Sequence, residues 1–120
     1  MWVLVSCLAL FSVSLSARAA GLGKITVFSA LGQPLRAAIE LSATPEELSG
    51  MKVRLASHDA FRMAGLDYTA ILSGIRFSLD KQATGQPLIE LSSDKPVIDP
   101  FVDMLLELNW TNGRLVRKYT

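Results

Sequence analysis

The feature that most constrains this chain is a repeated alternation of apolar and polar residues. "PLRAAIELS" sets Leu35, Ala37, Ile39 and Leu41 on one side, with Arg36 and Glu40 on the other. "MKVRLA" alternates Met51, Val53 and Leu55 with Lys52 and Arg54, and "GIRFSLD" alternates Ile75, Phe77 and Leu79 with Arg76, Ser78 and Asp80. Successive side chains of a strand point to opposite faces, so these segments are half-buried antiparallel strands, apolar side inward. "KITVFSA" reads as a further strand with Ile25 and Val27 as its inner pair.

Turn and cap chemistry separates the strands. "LGQP" closes the first two into a hairpin, and "KQATGQP" does the same before "LIELS". Gly32 and Gly85 each open a "GQPL" that leads into a strand ending "IELS", a weak internal echo. "TPEEL" offers Thr44 as N-cap, Pro45 at the first helical position and Glu47 to complete a capping box. "SHDAFRMAG" offers Ser57 as N-cap, Asp59 in the first turn, Phe61 facing the core and Gly65 as a left-handed stop. Six or seven short strands with one or two short helices predict a mainly β fold, an antiparallel β-sandwich of immunoglobulin-like or similar type.

Half of the 120 residues are hydrophobic, but the first block inflates that figure. "MWVLVSCLALFSVSLSARAA" is an apolar run too short to span a bilayer, and it ends in small residues. Ala17-Arg18-Ala19 fits a signal-cleavage site, so residues 1–19 read as a signal peptide, or as an uncleaved N-terminal anchor. No Lys or Arg precedes the apolar core, which leaves positive charge there to the amino terminus or to a start further upstream. The exported mature domain would run from residue 20 to 120. Cys7 is the only cysteine and would leave with the signal, which excludes disulfides, thiolate metal sites and cysteine nucleophiles. Without Arg18, eleven basic residues balance eleven acidic ones, which argues against nucleic-acid binding and gives no polybasic case for membrane attachment.

"DPFVDMLLELNWTNG" spaces Asp99, Asp103 and Glu107 four apart. On a strand, Val102, Met104, Leu106, Leu108 and Trp110 then form an unbroken apolar face, which a helix would scatter around its axis. Asn112-Gly113 follows as a type I′ hairpin turn into "RLVRKYT". The carboxylates are then a solvated strand face. A glycosidase pair would also need a cleft and a raised pKa on one carboxylate, and neither is legible. Phe101 and Leu105 share this outward face, which makes Phe101, Asp103, Leu105 and Glu107 a candidate partner surface.

Other chemistry is sparse. His58 is the only histidine, there is no HExxH or GxSxG pattern, and His58 reads as an exposed first-turn residue. "GLGKI" lacks the strand and helix of a phosphate loop. Asn109-Trp110-Thr111 matches a glycosylation sequon by coincidence, and Trp110 reads as a core or sandwich-end aromatic. No catalytic residue, metal ligand or cofactor is expected.

"GLGKITVFSALGQPLRAAIELS" and "PFVDMLLELNWTNGRLVRKYT", with the middle segment "VRLASHDAFRMAGLDY", closely resemble the N-terminal domain of the FimV/HubP/TspA family across Gly21 to Thr120. That resemblance implies a periplasmic module of a large inner-membrane protein connected with type IV pili, twitching motility and cell-pole organisation. It implies protein partners of the pilus-assembly or polar machinery, no nucleic acid, and peptidoglycan contact only through a separate module not in this chain. It also implies a last strand that continues beyond Tyr119-Thr120, so the domain reads as truncated there. The expected function is a non-enzymatic adaptor or scaffold. A spacer with no dedicated ligand is the alternative, and a cell-wall glycan-acting enzyme using Asp99, Asp103 or Glu107 a remote one.

Overall fold

The computed structural model describes residues 20–120, so Cys7 and the signal-cleavage residues Ala17, Arg18 and Ala19 lie outside the described residues. Seven strands form: β1 Gly21–Val27, β2 Pro34–Ser42, β3 Lys52–Leu55, β4 Ile75–Lys81, β5 Pro87–Pro96, β6 Met104–Trp110 and β7 Gly113–Tyr119. They make a four-stranded sheet of order β1-β2-β5-β4 and a three-stranded sheet of order β3-β6-β7, with every pairing antiparallel. This is the strand order of a constant-type immunoglobulin sandwich. The inner faces supply the core, where Ile39, Ile89, Leu106 and Leu108 are completely buried.

The alternation carries through to the register. Ala37 faces Leu91 and Ile39 faces Ile89 across the central β2–β5 pair, while Phe77 and Leu79 extend the same two rows onto β4. Both "GQPL" segments behave alike. Gly32 and Gly85 take φ of 87° and 90°, and Pro34 and Pro87 begin the two strands that pair at the sheet's centre. The register shifts between Pro34 and Arg36, which leaves the Leu35 amide off the ladder. The buried Ser93 hydroxyl accepts it at 2.8 Å and donates to the Lys95 carbonyl at 2.8 Å, so no polar group is stranded there.

Two short helices turn the corners as their caps predict. In α1, Pro45–Ser49, the Thr44 hydroxyl accepts from the Glu47 amide at 3.2 Å and the Glu47 carboxylate accepts from the Thr44 amide at 2.8 Å. In α2, His58–Met63, the Ser57 hydroxyl accepts from the Ala60 amide. That helix ends in a Schellman motif: the Leu66 amide donates to Phe61 O and the Gly65 amide to Arg62 O, with Gly65 at φ 75°. Phe61 is buried, and its ring meets Tyr68 edge-on at 4.9 Å. A 3-10 helix at Ala70–Gly74, which no sequence pattern indicated, buries Leu72 ahead of β4.

Two expectations are corrected. β1 begins at Gly21 rather than Lys24, with a register shift between Leu22 and Ile25. The β6–β7 hairpin does not turn on Asn112-Gly113. Trp110 pairs with Gly113, so the two-residue loop is Thr111-Asn112, and neither Asn112 nor Gly113 has a positive φ. Glycine serves another purpose at this position. A Cβ on Gly113 would lie 2.6 Å from Cζ2 of Trp110, whose ring covers the hairpin end.

Candidate functional site

The stretch from Asp99 to Trp110 divides at Met104. β6 starts there, so Asp99 and Asp103 sit in the preceding loop and the three carboxylates are not a row on one strand. Phe101 is 78% exposed and Asp103 is exposed, with the Thr120 hydroxyl donating to its carboxylate at 2.6 Å. Leu105 and Glu107, which the alternation assigned to a solvent face, are only 7% and 3% exposed. They take no part in an accessible partner surface. The reason is their central position: β6 lies between β3 and β7, and long side chains from both neighbours fold over it.

Glu107 is the centre of that cover. Arg54 on β3 donates to Oε2 through Nε at 3.1 Å and Nη2 at 2.9 Å, Arg114 on β7 donates to Oε1 at 3.0 Å, and the Asn109 amide donates to Oε2 at 2.7 Å. The Asn109 bond and the two guanidinium groups outweigh the desolvation of the carboxylate and hold its pKa down to about 2. The arginine side chains remain 70% and 61% exposed, so both charges keep their water while shielding the acid. At neutral pH this is an anion saturated with donors. It is a structural clasp, with no free lone pair aimed at a substrate.

The four-stranded sheet carries the opposite case on its outer face. Asp80 and Glu90 share a hydrogen bond, which raises Glu90 above the usual carboxylate range while a backbone N–H at Lys81 helps keep Asp80 low. Arg76 and Asp94 form a bidentate pair at 2.8 and 2.9 Å nearby. Both arrangements lie in water. Among the described residues no group of three or more acids, histidines or cysteines is arranged to hold a metal. His58 is exposed and stacks on Tyr68 with ring centroids 3.9 Å apart.

Accessible apolar surface gathers elsewhere. Of the eight exposed large hydrophobic residues among those described, Val27 ends β1, Phe28 and Leu31 lie in the β1–β2 turn, and Ile98 and Phe101 lie in the loop between β5 and β6. Those two segments are tied together: the Gly32 amide donates to Val97 O at 2.8 Å and the Val97 amide to Gln33 O at 3.0 Å. Beside them a cleft of about 350 Å³ opens into the end of the sandwich between its two sheets, with Thr120, just past β7, on its wall. Ile25, Val27, Leu35, Ile71, Val102 and Met104 line it, and Asp99 is its one charged residue. Sequence reasoning found Phe101 here and missed Phe28, Leu31 and Ile98. The available signal was apolar side chains inside turn segments, "VFSALGQP" and "PVIDPF", where no strand face needs them.

β7 meets β1 through side-chain hydrogen bonds. Arg117 donates to the carbonyl of Leu22, and the Tyr119 hydroxyl donates to the carbonyl of Gly23 at 2.7 Å. The Arg117 guanidinium also stands over the Tyr119 ring, 4.9 Å from its centroid. The two side chains therefore satisfy the first part of the β1 edge at its bulge.

Comparison with known proteins agrees with this architecture. The profile described as the FimV N-terminal domain Ig-like domain matches residues 20–120. The motility hub protein FimV from each of two Pseudomonas aeruginosa strains is 41% identical over 120 aligned positions, which cover 98% of this chain and 13% of the relative. No solved structure matches the chain significantly. With the whole described region matched and the sandwich topology in agreement, the chain belongs to the FimV N-terminal Ig-like domain family.

Proposed function

We propose that this domain is a non-enzymatic adaptor of a pilus-assembly or cell-pole hub protein, exported to the periplasm and acting in type IV pilus-dependent motility through protein contacts. The observation that carries this reading is the gathering of Val27, Phe28, Leu31, Ile98 and Phe101 at one end of the sandwich. Isolated exposed apolar residues are ordinary, but a contiguous set beside a cleft marks a place where a partner gains by covering it. The relatives carry the name motility hub protein, which supplies the setting. The state of Glu107 supports a non-catalytic domain. A general acid needs a raised pKa and a free proton, whereas this carboxylate is held low by its donors.

The test is a domain exchange in a bacterium whose twitching depends on the full-length relative. The region coding for its N-terminal domain is replaced by residues 20–120 of this chain, by the same with Ile98→Asp and Phe101→Asp, or by an unrelated immunoglobulin-like domain of similar size. This domain should restore twitching, and the other two should not at equal protein levels. Restoration by the unrelated domain would establish a spacer instead. Loss of twitching on replacing Asp99 and Asp103 by Asn, in a folded variant, would revive the glycan-acting reading.

A further inference from the structure

The free edge of β1 and the cleft beside it fit one kind of occupant. The Phe28 amide donates to the Arg36 carbonyl, which fixes Phe28 and Arg36 as a hydrogen-bonded pair. Antiparallel ladders alternate bonded and non-bonded pairs, so Thr26 with Ala38 is bonded, while Ile25 with Ile39 and Val27 with Ala37 are not. The backbone N–H and C=O groups of Ile25 and Val27 therefore point away from β2, along the open edge. The edge carbonyls of Leu22 and Gly23, one turn of the pleat earlier, are already taken by Arg117 and Tyr119. What remains, among the described residues, is a short row of unpaired donors and acceptors beside an apolar cleft.

Resting on the adaptor reading, we infer that β1 receives an extended strand from a second protein, seated between Ile25–Val27 and the end of β7, with alternate apolar side chains filling the cleft. β7 runs in the same direction as β1, since Arg117 reaches Leu22 and Tyr119 reaches Gly23. An added strand following that line lies parallel to β1. Backbone pairing supplies affinity and the cleft selects the side chains, as in strand addition generally. Its volume of about 350 Å³ takes about two Val- or Leu-sized side chains, and Asp99 on its wall favours a basic residue beside them. A second copy of this chain is a poorer occupant. Pairing β1 with β1 offers only the Ile25–Val27 edge on each side, and each strand's own inner side chains stay over their own cleft.

The experiment uses the purified chain and a fluorescein-labelled nonapeptide that alternates Val with Thr and carries a Lys at each end. Fluorescence anisotropy reads binding, and amide exchange by NMR reads which backbone groups become protected. Saturable binding at micromolar concentration with slowed exchange at Ile25 and Val27 is the expected result. Val27→Pro removes one of the edge N–H groups without touching the ladder to β2, and should weaken binding at least tenfold while circular dichroism and Tm stay unchanged. A peptide with Pro at every second position should not bind. No saturable binding, or binding indifferent to Val27→Pro, overturns the inference. So does self-association of the chain that blocks the peptide, or adsorption to phosphatidylethanolamine–phosphatidylglycerol vesicles through this end with no peptide binding. The two readings fail separately. Val27→Pro that abolishes peptide binding but leaves twitching intact in the exchanged parent sinks strand addition alone, while rescue by the unrelated domain sinks the adaptor role.

Discussion

Two halves of one stretch behave in opposite ways. From Met104 to Leu108 every side chain is buried, including Leu105 and Glu107 on the nominal outer face. From Ile98 to Phe101, only a few residues earlier, the chain is exposed and presents two large apolar side chains to water. The difference is one of neighbours. β6 has a strand on each side whose arginines close over Glu107, whereas the loop has only the β1–β2 turn beside it and an open cleft below. Hydrophobic residues on the strand are bound into folding, and those on the loop stay in water. The same residue types therefore carry different meaning according to what the topology places next to them.

The comparison is broken most strongly from the strand side. Leu106→Ala removes a completely buried side chain from the middle of the sandwich and should cost about 3 kcal/mol, read from urea unfolding with an unchanged m-value. A cost under about 1 kcal/mol would mean that the three-stranded sheet does not close the core as described.

Glu107→Gln comes next. It keeps the shape but removes the charge that Arg54 and Arg114 enclose, and should cost about 2 kcal/mol at neutral pH, less than a fully buried ion pair because both guanidinium groups stay in water. The pH dependence is sharper. The folded pKa of about 2 lies below the ordinary value of 4.5, so the carboxylate's contribution is complete above the unfolded pKa. It is lost as pH falls from about 4.5 towards about 2, and the wild-type and Glu107→Gln stability curves should converge over that range. Glu90 runs the other way. Its raised pKa means that protonated Glu90 donates a hydrogen bond to Asp80, so Glu90→Gln, whose amide can donate in the same way, should not reproduce the acid-side loss. Parallel curves for wild type and Glu107→Gln would remove the clasp from the account.

The loop side should give the smallest change in stability and the largest in contact. Ile98→Ser with Phe101→Ser should alter unfolding free energy by no more than about 0.5 kcal/mol, since both side chains already face water. The same pair should abolish whatever association this end makes, measured as lost capture of partner by the domain from a periplasmic extract that the wild-type domain retains. If the double variant unfolds the domain instead, the loop belongs to the core and the contrast collapses.

Much of the fold was legible in the chain itself. Period-two alternation in "PLRAAIELS", "MKVRLA" and "GIRFSLD" specifies strands and their inner faces, because a one-residue slip would turn every apolar side chain into water. Thr44 with Glu47, and Ser57 with Gly65, specify the helix ends because the unpaired groups there need local partners a fixed number of residues away. Both kinds of information are local, and both survive into the structure. The outward face read from alternation was only half legible: Phe101 and Asp103 are exposed, Leu105 and Glu107 are not. Alternation distinguishes two faces of a strand but says nothing of what covers the second one.

Tertiary structure alone decided the rest. It placed Arg54 and Arg114 over Glu107 from 53 and 7 residues away, and it brought Arg117 and Tyr119 to the carbonyls of Leu22 and Gly23 across 95 and 96. It moved the hairpin loop to Thr111-Asn112 because Trp110 lies over Gly113. It also joined the β1–β2 turn to the β5–β6 loop, turning scattered apolar residues into one exposed end. The sequence by itself determined which residues are strands and which side of each faces inward, since those depend on spacing along the chain. Which charges are enclosed and which apolar side chains stay open depends on strand order, and strand order is a contact between residues that the chain holds far apart.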